Sequence, residues 1–192
     1  MPEKQAPRLY PQDHVLKVTI LPFIPEFVQP NHITIVRMLM TPIILWCLSI
    51  ELYVWALPLF VLAAFSDMVD GALARTRNKI TPWGIFFDPI ADKLLVGSVA
   101  LLVGLQHYHS WLVFFAIFLD ILPSLRWASQ KTPGGLMAAN KWGKTKMVLQ
   151  CVSLGLLLLG IVTQIPALIV AGEIALVASI LFSITALITY SL

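Results

Sequence analysis

The chain has 192 residues, 58% of them hydrophobic and only 12% charged, with a mean hydropathy of +0.85 and a formal net charge of +3. A soluble domain carries about 25% charged residues, so this composition excludes an ordinary water-soluble fold and points to one membrane-embedded, all-α domain. Cys47 and Cys151 lie inside apolar runs without metal-ligand spacing, which argues against a structural disulfide or a zinc site.

Residues 1–8 are polar and Pro-broken and read as an unstructured tail; no uninterrupted apolar core of a cleavable signal peptide follows. Residues 9–28 mix Leu9, Val15, Leu16, Val18, Ile20, Leu21 and Phe23 with Asp13, His14 and Lys17, while Pro11, Pro22 and Pro25 rule out a spanning helix. That pattern predicts an interfacial amphipathic segment on the membrane surface, so residues 1–29 form a tail and 30–192 the transmembrane domain. Pro30-Asn31 starts the first span, with Asn31 a candidate N-cap, and the span runs over about 31–50. The second begins near Tyr53 and continues as one helix through Asp67 to Arg75; Asn78–Trp83 is a turn. A third span starts near Gly84–Asp88 and ends about Leu105, and a fourth covers about 109–127 with a kink at Pro123. A polar loop, 129–141, precedes the fifth and sixth spans at about 142–163 and 166–190. Each span approaches the ~20 residues needed to cross the hydrocarbon core.

Six spans put both termini on one side, and all thirteen basic residues fall on that side. Lys4, Arg8, Lys17 and Arg37 precede or open the first span, Arg75, Arg77, Lys79 and Lys93 surround the second turn, and Arg126, Lys131, Lys141, Lys144 and Lys146 surround the fourth. The opposite loops, near Glu51, His107–His109 and Gln164, carry none, so the basic face is cytoplasmic by the positive-inside rule.

On the same face stands the one dense acid cluster, Asp67, Asp70, Asp88 and Asp92, within 26 residues. Asp67 and Asp70 are i,i+3 neighbours on one helix, and Asp88 and Asp92 are i,i+4 neighbours on the next, antiparallel helix. A single Asp at a helix end is commonly a cap or a solvated terminus, but two pairs on facing helices converge on one pocket. Unpaired carboxylates so close would repel and take up protons. Hard divalent cations relieve that conflict, and all-oxygen ligation suits Mg²⁺, Mn²⁺ or Ca²⁺ rather than zinc. Two such ions are a common device for in-line phosphoryl displacement. Gly71 and Gly84 remove side chains where a ligand would approach the backbone, Ala74 keeps its turn small, and Arg75 offers a planar fork for phosphate oxygens. Together these residues point to a nucleotide- or pyrophosphate-containing substrate.

The pattern Asp67-x2-Asp70-Gly71-x2-Ala74-Arg75-x8-Gly84-x3-Asp88-x3-Asp92 resembles the CDP-alcohol phosphotransferase signature at all eight fixed positions. With length and span count in agreement, the resemblance covers about residues 30–190. It implies transfer of a substituted phosphate group from a CDP-linked donor to an alcohol with release of CMP, two divalent ions (Mg²⁺ or Mn²⁺), and a homodimer in the lipid bilayer of the inner, cytoplasmic membrane. No nucleic-acid partner is expected. By the same resemblance, Asp67, Asp70, Asp88 and Asp92 hold metal, Asp92 is also the general base, and Gly71, Ala74, Arg75 and Gly84 contact the CDP moiety.

Two further stretches are similar to the phosphatidylglycerophosphate synthase branch of that family. Pro30-Asn31-x2-Thr34-x2-Arg37 resembles its opening, which adds Asn31, Thr34 and Arg37 to the donor side, and Gly143-Lys144-x-Lys146 resembles its G-K-x-K segment. CDP-diacylglycerol is then the donor and glycerol 3-phosphate the acceptor, with Arg126, Lys141, Lys144 and Lys146 as cations for the acceptor phosphate. The fourth span departs from the branch: it keeps an acid at Asp120 but has Leu119 where an Arg is usual, and adds Pro123. Phosphatidylglycerol, as in cardiolipin synthesis, and an inositol phosphate therefore stay open as acceptors. A reading of another class is a divalent-cation channel or transporter, though such a site would sit near the midplane between repeats. Glu173 is an isolated acid in the sixth span with no assigned role.

Overall fold

A computed structural model describes residues 11–79, 81–107, 115–118 and 141–191. Among these residues every regular element is helical: α1 (Pro11–Thr19), a 3₁₀ turn (Leu21–Phe23), α2 (Pro30–Ser49), α3 (Tyr53–Thr76), α4 (Pro82–His107), α5 (Lys141–Thr163) and α6 (Pro166–Ser191). Residues 115–118 are also helical. Apart from residues 115–118, the fourth expected span lies outside the described residues, with its kink at Pro123, most of the polar loop before α5 and the tail 1–8. Four stretches are long and apolar enough to cross a membrane: Pro30–Ser49, Tyr53–Thr76, Thr145–Thr163 and Pro166–Thr185. Their outward side chains include Leu39, Trp46, Val54, Trp55, Val170 and Leu181, an apolar exterior that suits lipid.

The helix boundaries follow from local chemistry. Four helices open on Pro11, Pro30, Pro82 and Pro166, where the missing N–H would have had no intrahelical partner. Glu51, Asn78 and Gln164, just past the ends of α2, α3 and α5, adopt φ of 60°, 53° and 56°, the left-handed stop that releases the chain from a helix. One expectation needs correction. Asn31 is not the cap of α2; the helix already includes Pro30, and the Asn31 side chain instead accepts a hydrogen bond from Thr81 (2.8 Å).

The described residues fall into two compact units. The first is drawn from Met1–Ile44 and Pro58–Leu95, so the N-terminal segment belongs with the halves of α2, α3 and α4 around it. Leu16 and Leu21 bury against Val69, Ala72 and Leu73 of α3, flanked by Ile20, Ile24 and Ile33. Arg77, just past α3, donates to the carbonyls of Ile24 (2.6 Å) and Pro25 (3.1 Å), and the Lys79 amine donates to that of Glu26 (3.3 Å). The opposite side of this segment exposes Val15, Val18, Phe23 and Phe27, as an interfacial element should.

The second unit is drawn from Leu45–Leu57 and Val96–Leu192. Its α5 and α6 run antiparallel after the tight Gln164 stop. A Cβ on Gly160 would lie 2.6 Å from Ile169 Cγ1, and one on Gly172 would lie 2.7 Å from Leu157 Cγ, so both glycines permit close approach. Ser153, fully buried, donates to the Gly172 carbonyl (2.8 Å). Gly97 and Gly155, by contrast, face nothing within 4 Å. Glu173 is half-buried on α6.

Candidate active site

The chemistry-bearing side chains of the first unit come from three helices. On α2, Thr34 and Arg37 are i,i+3 and share a face; α3 contributes Asp67 and Asp70, and α4 contributes Asp88 and Asp92. Arg37 is fully buried and stands at the centre. Its Nη1 donates to Asp67 (2.8 Å) and to Asp92, and its Nη2 donates to Asp70. Thr34 supplies the fourth contact, its hydroxyl donating to Asp88 at 2.8 Å; Asp70 and the Pro30 carbonyl are its longer alternatives, both at 3.4 Å. A hydroxyl has one proton to donate, so the short contact to Asp88 is the one that counts. All four acids expected from the spacing are thus brought together, and Arg37 and Thr34 are what they gather on.

A second contact chain fixes the start of α4. Thr81 accepts from the Gly84 N–H (3.0 Å), which makes it the N-cap, and donates to Asn31. A Cβ on Gly84 would stand 3.3 Å from Asn31 Oδ1 and 3.4 Å from Asp88 Oδ2, so the glycine lets both approach. Thr81 carries a cap signal legible in the sequence, a Thr followed by Pro at the first helical position.

Arg75 lies one turn after Gly71 on α3. A Cβ at Gly71 would be 3.1 Å from Arg75 Nη1 and 3.3 Å from Nη2, so the guanidinium occupies the space that glycine leaves. Nε and Nη2 of Arg75 donate to the two carboxylate oxygens of Asp13 on α1, both at 2.8 Å. Asp13 was read only as a polar position of an interfacial helix, yet it is fully buried. Ala74 is half-buried, and its carbonyl accepts from the Lys79 N–H (3.0 Å) where α3 ends. Of the cations read for an acceptor, Arg126 lies outside the described residues, Lys141 and Lys144 are placed only as backbone of α5's opening turn, and Lys146 is half-buried on α5.

The donor set suits a hard divalent cation. Its acidic groups are all carboxylates, and the single guanidinium pairs with three of them while Asp88 takes the Thr34 hydroxyl, so negative charge is in excess. Arg37 Nε is buried without a hydrogen-bond partner. Among the described residues no three acids form a ready ligand cage, because their oxygens turn toward Arg37 and Thr34. Metal held here would therefore share those oxygens with Arg37.

Compared with known proteins, residues 27–189 match the CDP-alcohol phosphatidyltransferase family. The chain belongs to that family. Among curated relatives, it is 33% identical over 143 residues to a Salmonella choleraesuis (strain SC-B67) protein, covering 69% of this chain and 78% of the relative. It is 34% identical over 140 residues to one from Pseudomonas fluorescens, covering 67% and 71%. It is also 34% identical over 142 residues to one from Escherichia coli (strain K12), covering 69% and 78%. All three relatives are named CDP-diacylglycerol–glycerol-3-phosphate 3-phosphatidyltransferase. Membership in a CDP-alcohol phosphatidyltransferase family does not favour the ion-channel reading of the four acids.

Proposed function

We propose that this protein transfers the phosphatidyl group of CDP-diacylglycerol to glycerol 3-phosphate, forming phosphatidylglycerophosphate and CMP. The observation that carries this reading is the gathering of all four signature acids around Arg37 and Thr34, in a chain whose matched relatives bear that activity in their names. The acceptor hydroxyl attacks the phosphorus next to diacylglycerol, the bond to the bridging oxygen of the diphosphate breaks, and CMP leaves with that electron pair. Asp92 takes the hydroxyl proton. Asp67, Asp70, Asp88 and Asp92 hold Mg²⁺ or Mn²⁺, which when bound neutralises diphosphate charge and makes a nearby hydroxyl more acidic. Thr34 and Arg37 serve the donor side by fixing the carboxylates that they touch, and Asn31 by holding Thr81, the N-cap of the helix that carries Asp88 and Asp92. Gly71, Ala74, Arg75 and Gly84 line the CDP moiety, and Arg126, Lys141, Lys144 and Lys146 receive the acceptor phosphate.

The same reading gives the chain six spans with both termini and the site on the cytoplasmic face of the inner membrane, as a homodimer. A cytoplasmic site lets a soluble acceptor and a lipid-anchored donor meet at one interface. The test is CMP release by purified protein in mixed micelles with CDP-diacylglycerol and Mn²⁺ or Mg²⁺, with glycerol 3-phosphate, an inositol phosphate and phosphatidylglycerol competing. Phosphatidylglycerophosphate is the expected product; a different phosphatidyl product would reassign the acceptor, and no CMP with any acceptor would end the enzymatic reading.

A further inference from the structure

Asp13 stands outside the family signature and outside everything the proposed chemistry uses, yet its carboxylate is fully buried on an arginine that does belong to the signature. Both carboxylate oxygens are engaged at 2.8 Å by Nε and Nη2 of Arg75, the fork geometry that fixes the plane of a guanidinium as well as its position. The other side of that plane is defined by Gly71, whose missing Cβ would lie 3.1–3.3 Å from the two terminal nitrogens. Arg75 is thus clamped between α1 and its own helix, while 23% of its side chain stays exposed.

Docking of α1 has other anchors beside this pair. Leu16 and Leu21 already bury on α3, and Arg77 already binds the carbonyls beyond α1. A buried ion pair adds little net stability over an apolar contact, so its effect is better sought in geometry.

We propose that Asp13 is a positioning residue of the donor site, holding Arg75 over Gly71 in the orientation that meets the diphosphate of the CDP-linked donor. The proposal rests on the reading of Arg75 as a donor contact. Without Asp13 the guanidinium keeps its charge and loses its aim, so donor binding falls while the acceptor and the chemical step do not.

Asp13→Asn, Asp13→Glu, Arg75→Lys and the double variant Asp13→Asn/Arg75→Lys test this by steady-state CMP release. In Asp13→Asn the KM for CDP-diacylglycerol is expected to rise about tenfold or more, as for other misaimed groups. The KM for glycerol 3-phosphate and kcat should barely move, the signature of lost binding common to ground and transition states. Asp13→Glu should recover part of the loss, and the double variant should be no worse than Arg75→Lys alone. Calorimetric titration of CDP into the micellar protein with Mg²⁺ gives a readout independent of the acceptor, and Asp13→Asn should weaken it by a similar factor. Unchanged donor KM and CDP affinity in Asp13→Asn would overturn the proposal. So would an equal decline in every kinetic parameter accompanied by a lower unfolding temperature, which would mark Asp13 as structural. Weaker CDP binding in the variant, with no transfer to glycerol 3-phosphate by wild type, would sustain the proposal and sink the acceptor assignment. A wild type that binds no CDP would remove both.

Discussion

At Asp92 an amide keeps the shape of the side chain and would remove the proposed base. Asp92→Asn is therefore expected to cut CMP release by about 10²–10⁴-fold. Its unfolding temperature should hold or rise, because the cluster around Arg37 carries more negative than positive charge. Gly71→Ala makes a different prediction. The new methyl meets the Arg75 guanidinium at 3.1 Å, so the fork must give way within its clamp with Asp13 and the KM for the donor should rise. Alanine also gains about 0.8–1 kcal/mol of helix propensity, which offsets the crowding, so thermal unfolding should change little while donor affinity falls. These residues were not equally visible in the sequence. The four acids stood out because charge is rare among apolar spans. Asp13 did not, since one acid on an amphipathic segment is ordinarily a solvated face, and its partner lies 62 positions away. Arg37 was visible as part of a motif, but its place at the centre of the acids depends on three helices meeting.

Helix ends were easier to read, because proline and turn residues act locally. The start of α3 at Tyr53 and the Gln164 break fall where the sequence put them, whereas α4 opens at Pro82, inside the turn expected over Asn78–Trp83. What could not be read was the left-handed backbone at Glu51 and Gln164, which no glycine announces. Both positions carry strain of about 1–2 kcal/mol that glycine would relieve, less its greater unfolded-state entropy. Glu51→Gly should therefore raise stability by about 0.5–1 kcal/mol in a micellar unfolding assay. Gln164→Gly should give close to nothing, because the Gln164 amide donates to the Ile161 carbonyl at 2.6 Å and that bond is worth a similar amount. Gly160→Ala is expected to destabilise by about 1–3 kcal/mol, since the added carbon meets the Ile169 backbone nitrogen at 3.0 Å and the hairpin of α5 and α6 cannot yield by rotating a side chain alone.

For the whole molecule, the sharpest sequence signal is the segregation of all thirteen basic residues, and it makes a topological prediction. Reporter fusions at the two termini should both report the cytoplasm, and a fusion within the Gln164 turn should report the opposite side; a C-terminal reporter on the outer side would refute the six-span count. Arg37 bears on a matter of timing. Four carboxylates among apolar helices, left to themselves, would resist packing until cations arrived, and folding would have to wait for metal, as it does in small zinc domains. A guanidinium carried on α2 neutralises part of that charge from within the same chain. If the site takes the metal proposed for it, assembly would thereby be uncoupled from metal supply. Chelation should then abolish activity reversibly with little change in unfolding temperature, whereas Arg37→Ala, at a cost of about 3–5 kcal/mol, should leave a protein whose unfolding temperature climbs steeply with added Mg²⁺.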